Sequence, residues 1–209
     1  MKSNRLSPIW ARQYDRLSEK LEHRFDGSRL RSGLVGNLTG RVVEIGAGTG
    51  RNLPHYAEAD HVVAVEPSAG MRSVLEGRVA SAPVSAEMRV ATGERLPFAD
   101  EEFDAAVGTL LLCVVDDPRV VLAEIHRVLR PGGVFSFFEH VRDTGARGRK
   151  QDRWEPVLRR ALFGCRPNRR TLDVMRETGF DVRSSAPPVE FSPKPPLSGP
   201  YLTGTATRL

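Results

Sequence analysis

Apolar positions in this chain form short runs separated by segments of helical spacing. Between Leu6 and Leu21, the positions Ile9, Gln13, Leu17 and Leu21 share one helix face, with Tyr14 beside them. This predicts an N-terminal helix whose stripe covers the front of a domain. Arg41–Ile45 reads as a β-branched strand that runs into Gly46-Ala47-Gly48-Thr49-Gly50 and then a helix. His61–Val65 predicts a second strand, with Pro67 and Ser68 opening a helix around Met71–Leu75. Ala86–Ala91 and Phe103–Gly108 suit the third and fourth strands. Val121, Ile125, Val128 and Leu129 then form the stripe of a sheet-covering helix. Pro131-Gly132-Gly133 is expected to stop that helix before a strand over Val134–Phe138. A last helix spans Arg169–Glu177 and ends at Gly179, and Asp181–Ser184 and Tyr201–Ala206 suit closing strands. Between them, the proline-rich stretch from Ser185 to Pro200 predicts a long extended connection. Alternating strands and helices without polar alternation indicate an α/β domain with a largely parallel sheet covered on both faces.

Composition narrows this picture modestly. A chain of 209 residues suits a single domain, with residues 1–37 as an N-terminal helical cap and 142–168 as a substrate-side insertion. No apolar run approaches the roughly 20 residues that span a bilayer, and Met1–Pro8 shows no secretory pattern. Cys113 and Cys165 make neither a disulfide framework nor a Cys-rich metal site, so a reduced, cytoplasmic protein is expected and no metal. The net charge of +5 is concentrated between Arg142 and Arg170, where only Asp143, Asp152 and Glu155 oppose the cations. That stretch reads either as a solvated face or as a surface facing a partner. Neither aromatic interleaving nor a Cys/His finger accompanies it, so no nucleic-acid partner is expected. Trp154, Val157, Leu158, Leu162 and Phe163 lie in the same region. They read as an amphipathic cap over an active site, as ordinary surface-helix packing, or as a peripheral contact with anionic membrane.

The chemistry centres on Val42–Gly50. A strand entering a glycine-rich turn lets a ligand approach backbone that a Cβ would obstruct, and the helix behind it offers unpaired N–H groups. The even spacing of Gly46, Gly48 and Gly50 departs from the dinucleotide fingerprint, and no Lys-Ser or Lys-Thr pair follows to make a phosphate loop. Alone, such a turn is also compatible with a plain strand–helix connection. Glu66, directly after His61–Val65, is placed to accept hydrogen bonds from ribose hydroxyls. Thr92-Gly93-Glu94 falls at the same carboxyl edge.

The ordered set Val42–Gly50, Glu66-Pro67-Ser68, Gly93-Glu94, Leu96-Pro97-Phe98, Phe103-Asp104 and Val128–Gly133 resembles the class I S-adenosylmethionine-dependent methyltransferases. The resemblance implies a Rossmann-like, seven-stranded sheet with the methyl donor across its carboxyl edge. By it, Glu44, Gly46, Ala47 and Gly48 shape the methionine-side pocket, and Glu66 and Pro67 serve the ribose. Ser68 and Met71 lie near ribose or adenine, Gly93 and Glu94 match the adenine turn, and Thr109 and Leu110 lie beneath the methionine moiety. Gly108–Val115, Phe137–Val141, Gly164-Cys165, Arg169 or Arg170, and Pro200–Ala206 are similar to the methyltransferase-like 7 group of small-molecule and thiol methyltransferases. Animal members of that group carry an N-terminal hydrophobic anchor without a counterpart in this sequence. The same core resembles quinone, sterol and phospholipid methyltransferases, and a protein that binds the donor without turnover is a further reading.

The expected activity is methyl transfer to a small, apolar acceptor, a thiol or phenolic metabolite. A thiol, with an intrinsic pKa near roughly 8.5, needs little help to ionise, whereas a phenol or carbon acid benefits from a base. His140, at the end of the fifth strand, is the candidate base, with a structural strand-end histidine as the plain alternative. Glu139 is placed to orient it or to touch substrate, and Tyr14 to close the pocket. His23, His55, His61 and His126 lack metal-ligand spacing.

Overall fold

The computed structural model describes residues 7–22, 26–161, 164–184 and 200–209. His23, Leu162, Phe163 and most of the proline-rich connection lie outside the described residues. Helices α1 (Pro8–Glu22) and α2 (Gly27–Val35) precede β1 (Gly40–Ile45), β2 (Ala59–Val65), α3 (Ala69–Ala80), β3 (Ser85–Arg89) and β4 (Phe103–Thr109). Then come α4 (Pro118–Val128), β5 (Leu129–His140), α5 (Gly145–Ala161), α6 (Thr171–Glu177), β6 (Phe180–Ser184) and β7 (Tyr201–Arg208). Seven strands make one sheet in the order β3-β2-β1-β4-β5-β7-β6. The first five strands are parallel, while β7 pairs antiparallel with both β5 and β6. The strand order reverses between β1 and β4, the switch point where open α/β sheets bind ligands at their carboxyl edge.

Both faces of the sheet are dry. Val43, Val63 and Phe135 point into a core shared with Leu122, Ile125 and Met175 from α4 and α6. Val42, Val62 and Val107 point the other way, toward Leu34 and Leu75. Alternate side chains of each central strand therefore meet apolar partners on opposite faces, so the strands read as unbroken apolar runs. Helix α4 starts cleanly because Pro118 occupies its first turn and the Asp117 side chain accepts from the Arg119 N–H at 2.8 Å.

Four expectations need correction. Leu129 is not on α4. It is the first residue of β5 and pairs with Phe103 across a register irregularity, so Pro131-Gly132-Gly133 bends a continuous strand instead of preceding it. The third strand ends at Arg89, and the last helix begins at Thr171. The N-terminal helix also presents a different face. Ile9 and Leu17 are 70% and 52% exposed, whereas Ala11 is fully buried and Tyr14, Asp15, Ser18 and Glu22 turn inward beside it. That inward stripe is mostly polar, and it is held by ion pairs.

Candidate active site

The loop after β1 carries the geometry that its glycines require. Gly46, Gly48 and Gly50 have φ of 68°, 59° and 82°, the left-handed region that other residues adopt at a cost. A Cβ on Gly50 would fall 2.5 Å from Leu75, so that glycine serves packing. A Cβ on Gly48 would meet nothing closer than 3.9 Å. The backbone there faces open space, as a ligand cradle demands. Ala47 is buried behind it, with its N–H donating to the Val65 carbonyl.

Glu66 leaves the end of β2 and ties two backbone segments together. Its Oε2 accepts from Gly48 N–H at 2.9 Å and its Oε1 from Ser68 N–H at 2.7 Å. An ionised carboxylate offers about four lone-pair sites, so each oxygen keeps one for a further donor. Burial raises the Glu66 carboxyl above its ordinary range, against the pull of those two N–H groups. Ser68 caps α3 by accepting from the Met71 N–H, while Pro67 gives its carbonyl to Arg72. Pro67 and Met71 are half-buried at the mouth of this turn.

Glu44 sits deeper, behind the loop, at 2% exposure. It accepts from Tyr56 OH and Asn52 Nδ2, both at 3.0 Å, and Asn52 Nδ2 also donates to Thr109 Oγ1 at 2.9 Å. Burial lifts the Glu44 carboxyl to about 7, only partly offset by Tyr56, Arg31 and Asn52. Arg31 bridges Asn52 to Glu22 of α1. Asp15 of α1 accepts from Thr49 Oγ1 at 2.6 Å and from both terminal nitrogens of Arg78. Burial opposes ionisation of Asp15, yet Arg78, Thr49 and Arg51 outweigh it and hold the carboxyl below its usual range. Thus α1 is lashed onto the glycine-rich loop through charges.

The carboxyl ends of β4 and β5 form the other half of the site. Leu110 follows β4 with φ of 53°, a strained conformation for a branched side chain, and donates its N–H to the Phe138 carbonyl at 2.7 Å. Glu139, fully buried, accepts from Leu111, Leu112 and Cys113 N–H groups and so shapes the turn after β4. It is therefore engaged by that turn and not by His140. Burial pushes its carboxyl up to about 8 despite those three donors.

His140 Nδ1 lies 3.1 Å from Cys165 Sγ, its ring centroid is 4.0 Å from that of Tyr201, and its buried Nε2 finds no hydrogen-bond partner. Cys113 Sγ donates to the Leu110 carbonyl at 3.4 Å. The two sulfurs and a His140 nitrogen all lie within 4.8 Å of one another. The hydrogen bond between the cysteines, followed by burial, pushes the Cys113 thiol well up, while Cys165 is drawn down by Cys113 and His140. Tyr14 lies within electrostatic reach of Cys113, which with burial raises the phenol. Arg169 donates to the Leu112, Val115 and Asp116 carbonyls, pinning the same turn from outside.

Not every candidate joins this edge in the same way. Gly93 is required by packing, since a Cβ would sit 3.1 Å from Ile45 and Val121 side chains. Glu94 is half-buried in the turn closed by the Thr92–Arg95 bridge. Trp154 and Val157 are 47% and 56% exposed on α5, which disfavours a cap packed over the site. Asn52, Tyr56, Asp15, Cys165 and the real engagement of Glu139 were missed by motif reading. Asn52 and Tyr56 stand within ten residues of the glycines, and that nearness is the only signal the sequence offers for them. The meeting of Cys165 with His140 and Cys113 has none, because those partners are remote from it in the chain.

A methyltransferase domain family matches residues 43–137. The thiol S-methyltransferase TMT1B of Rattus norvegicus is 31% identical over 213 residues, covering 97% of this chain and 84% of the relative. The human TMT1B is 33% identical over 186 residues, covering 84% and 74% respectively. Among solved structures, an S-adenosylmethionine-dependent methyltransferase from Thermotoga maritima superposes with a TM-score of 0.70 at 25% identity, covering 97% of this chain and 98% of that one.

Proposed function

Because the chain belongs to the S-adenosylmethionine-dependent methyltransferases, we propose that it methylates the sulfur of a small, apolar thiol, with the donor seated along Gly46–Gly48 and Glu66. The observation that supports the acceptor class most directly is the similarity to thiol S-methyltransferases over 84% of a relative's length. The donor supplies an electrophilic methyl group on a sulfonium. In this reading the protein's own residues do the rest. Glu44, Gly46, Ala47 and Gly48 form the methionine side, with Glu44 acting through Asn52 and Thr109. Glu66, beside Pro67, uses its two free lone pairs on the ribose. Ser68 and Met71 form the wall of the adenosine end with Gly93 and Glu94, and Leu110 sets the floor below the sulfonium.

Transfer requires the acceptor atom, the methyl carbon and the departing sulfur to lie nearly in line, and fixed strand ends provide that alignment. Tyr14 and His140 border the acceptor side. A thiol needs no strong base, and the Nδ1 of His140 is engaged by Cys165, so His140 serves to hold the acceptor end of the site.

An acceptor panel with labelled S-adenosylmethionine, spanning thiols, phenols, quinones and phospholipids, tests this reading. Labelled thioether and S-adenosylhomocysteine in equal amounts are expected from apolar thiols. Product from quinones or lipids but none from thiols would overturn the acceptor class.

A further inference from the structure

The cluster Cys113–His140–Cys165 has a geometry that methyl transfer by itself does not require. Its residues come from three separate segments: the turn after β4, the last position of β5, and the stretch following α5. They are 0%, 7% and 4% exposed, and one donor atom of each lies within 4.8 Å of the others. Zinc–sulfur and zinc–nitrogen bonds of about 2.3 and 2.0 Å give tetrahedral edges of roughly 3.5–3.8 Å. The 3.1 Å separation of Cys165 Sγ and His140 Nδ1 is shorter than such an edge by roughly 0.4 Å, a gap that a small side-chain rotation opens.

Hydrogen bonding is a poor reason for this grouping, since a thiol is a weak donor and a weak acceptor. Backbone contacts hold the turn that carries Cys113 and join it to the segment of Cys165. Cys113 gives its N–H to Glu139 and its carbonyl to Arg166 N–H, and Arg169 grips the carbonyls of the same turn. Two thiolates balance the charge of one divalent cation. Soft thiolates with an imidazole select zinc-class ions over magnesium or calcium.

We propose that Cys113, His140 and Cys165 bind one zinc-class divalent cation and leave one coordination position for the acceptor's sulfur. Among the described residues, no fourth ligand joins these three. The nearest carboxylate, Glu139, already receives three backbone N–H groups. Three protein ligands with one free position is the arrangement of zinc sites that take an exogenous ligand. The choice of that ligand rests on the thiol reading above. An acceptor R–SH enters as R–S⁻ in place of water and its proton leaves to solvent, giving a nucleophile beside the Thr109–Leu110 edge. Cys113 Sγ, 3.4 Å from the Leu110 carbonyl, places the ion at that edge.

The test is elemental analysis of the full chain purified without chelator, followed by cobalt substitution. One ion per chain is expected, with a sulfur-to-cobalt charge-transfer absorption that Cys113→Ser and Cys165→Ser each abolish. Circular dichroism and donor affinity measured on both variants establish that they remain folded. Thiophenol added without the methyl donor should shift the visible cobalt bands. Absence of stoichiometric metal, or a mass two hydrogens lower that reports a Cys113–Cys165 disulfide in the purified protein, overturns the site. Bands that ignore thiophenol overturn the fourth-ligand assignment. One bound ion together with an acceptor panel that yields no thioether overturns the thiol assignment and supports the metal site alone.

Discussion

At the scale of single residues, buried carboxylates organise the site. Glu66 is held by two backbone donors and has capacity for two more. Glu66→Gln replaces one anionic oxygen by an amide donor facing an N–H, and hydrogen bonds to charged groups contribute about 1.5–3 kcal/mol. Calorimetry should show donor affinity weakened at least ~10-fold with the fold retained; an unchanged Kd would remove Glu66 from the ribose.

Glu44 supplies a pH signature. Its carboxyl stands at about 7 in the folded protein against an ordinary 4.5. The folded state therefore keeps a proton that the unfolded chain has already released. The resulting stabilisation is complete below the unfolded value and is lost as the pH rises from about 4.5 to 7, on the order of 3 kcal/mol in all. Urea midpoints of the parent, measured relative to Glu44→Gln, should fall between pH 5 and pH 7.5. A rise over that interval would reverse the assignment.

At the scale of elements, periodicity located most strands and helices but mistook the orientation of α1. The four-residue spacing of Ile9, Gln13, Leu17 and Leu21 suggested the buried face, since apolar stripes usually seek the core. The partners that face α1, however, are Arg31, Arg51 and Arg78, and these select Asp15 and Glu22. No local pattern announces a buried stripe of charges, because its partners lie 9 to 63 positions away in the chain. Asp15→Asn removes the anion between Arg78 and Thr49 and takes from the partly buried Arg78 its carboxylate partner, while Arg51 keeps Glu22. Donor binding should weaken about 10-fold, equivalent to roughly 1.4 kcal/mol. The parent's affinity should also fall with added salt more steeply than the variant's. Equal salt slopes would show that α1 does not act through this contact. The same principle explains β5: Pro131-Gly132-Gly133 is a helix stop on its own, but pairing of Leu129 with Phe103 recruits the preceding residues into the strand.

At the scale of the whole molecule, the parallel sheet brings the ends of β1, β2, β4 and β5 to one edge. Its rigidity depends on the core between the sheet and α4. Ile125 is fully buried there among Val121, Leu122 and Phe135. Truncation to alanine should cost about 2–5 kcal/mol in chemical denaturation. Donor affinity of the molecules that remain folded should be unchanged, since no ligand-edge residue moves with that side chain. A loss of affinity without loss of stability would contradict this separation of core and site.

The glycine-rich turn, the acidic residue after β2 and the α/β alternation were legible in the amino-acid order because each follows from local backbone rules. Positive φ favours glycine, a strand end demands a turn, and two covered faces favour unbroken apolar strands. What only the tertiary structure decided is which polar groups meet around that edge: the burial of Asp15 and Glu22, the engagement of Glu139 by the turn after β4, and the meeting of Cys113 and His140 with Cys165. These groups are brought together by strand order and chain return. Contacts between distant segments leave no periodic trace in the sequence that makes them.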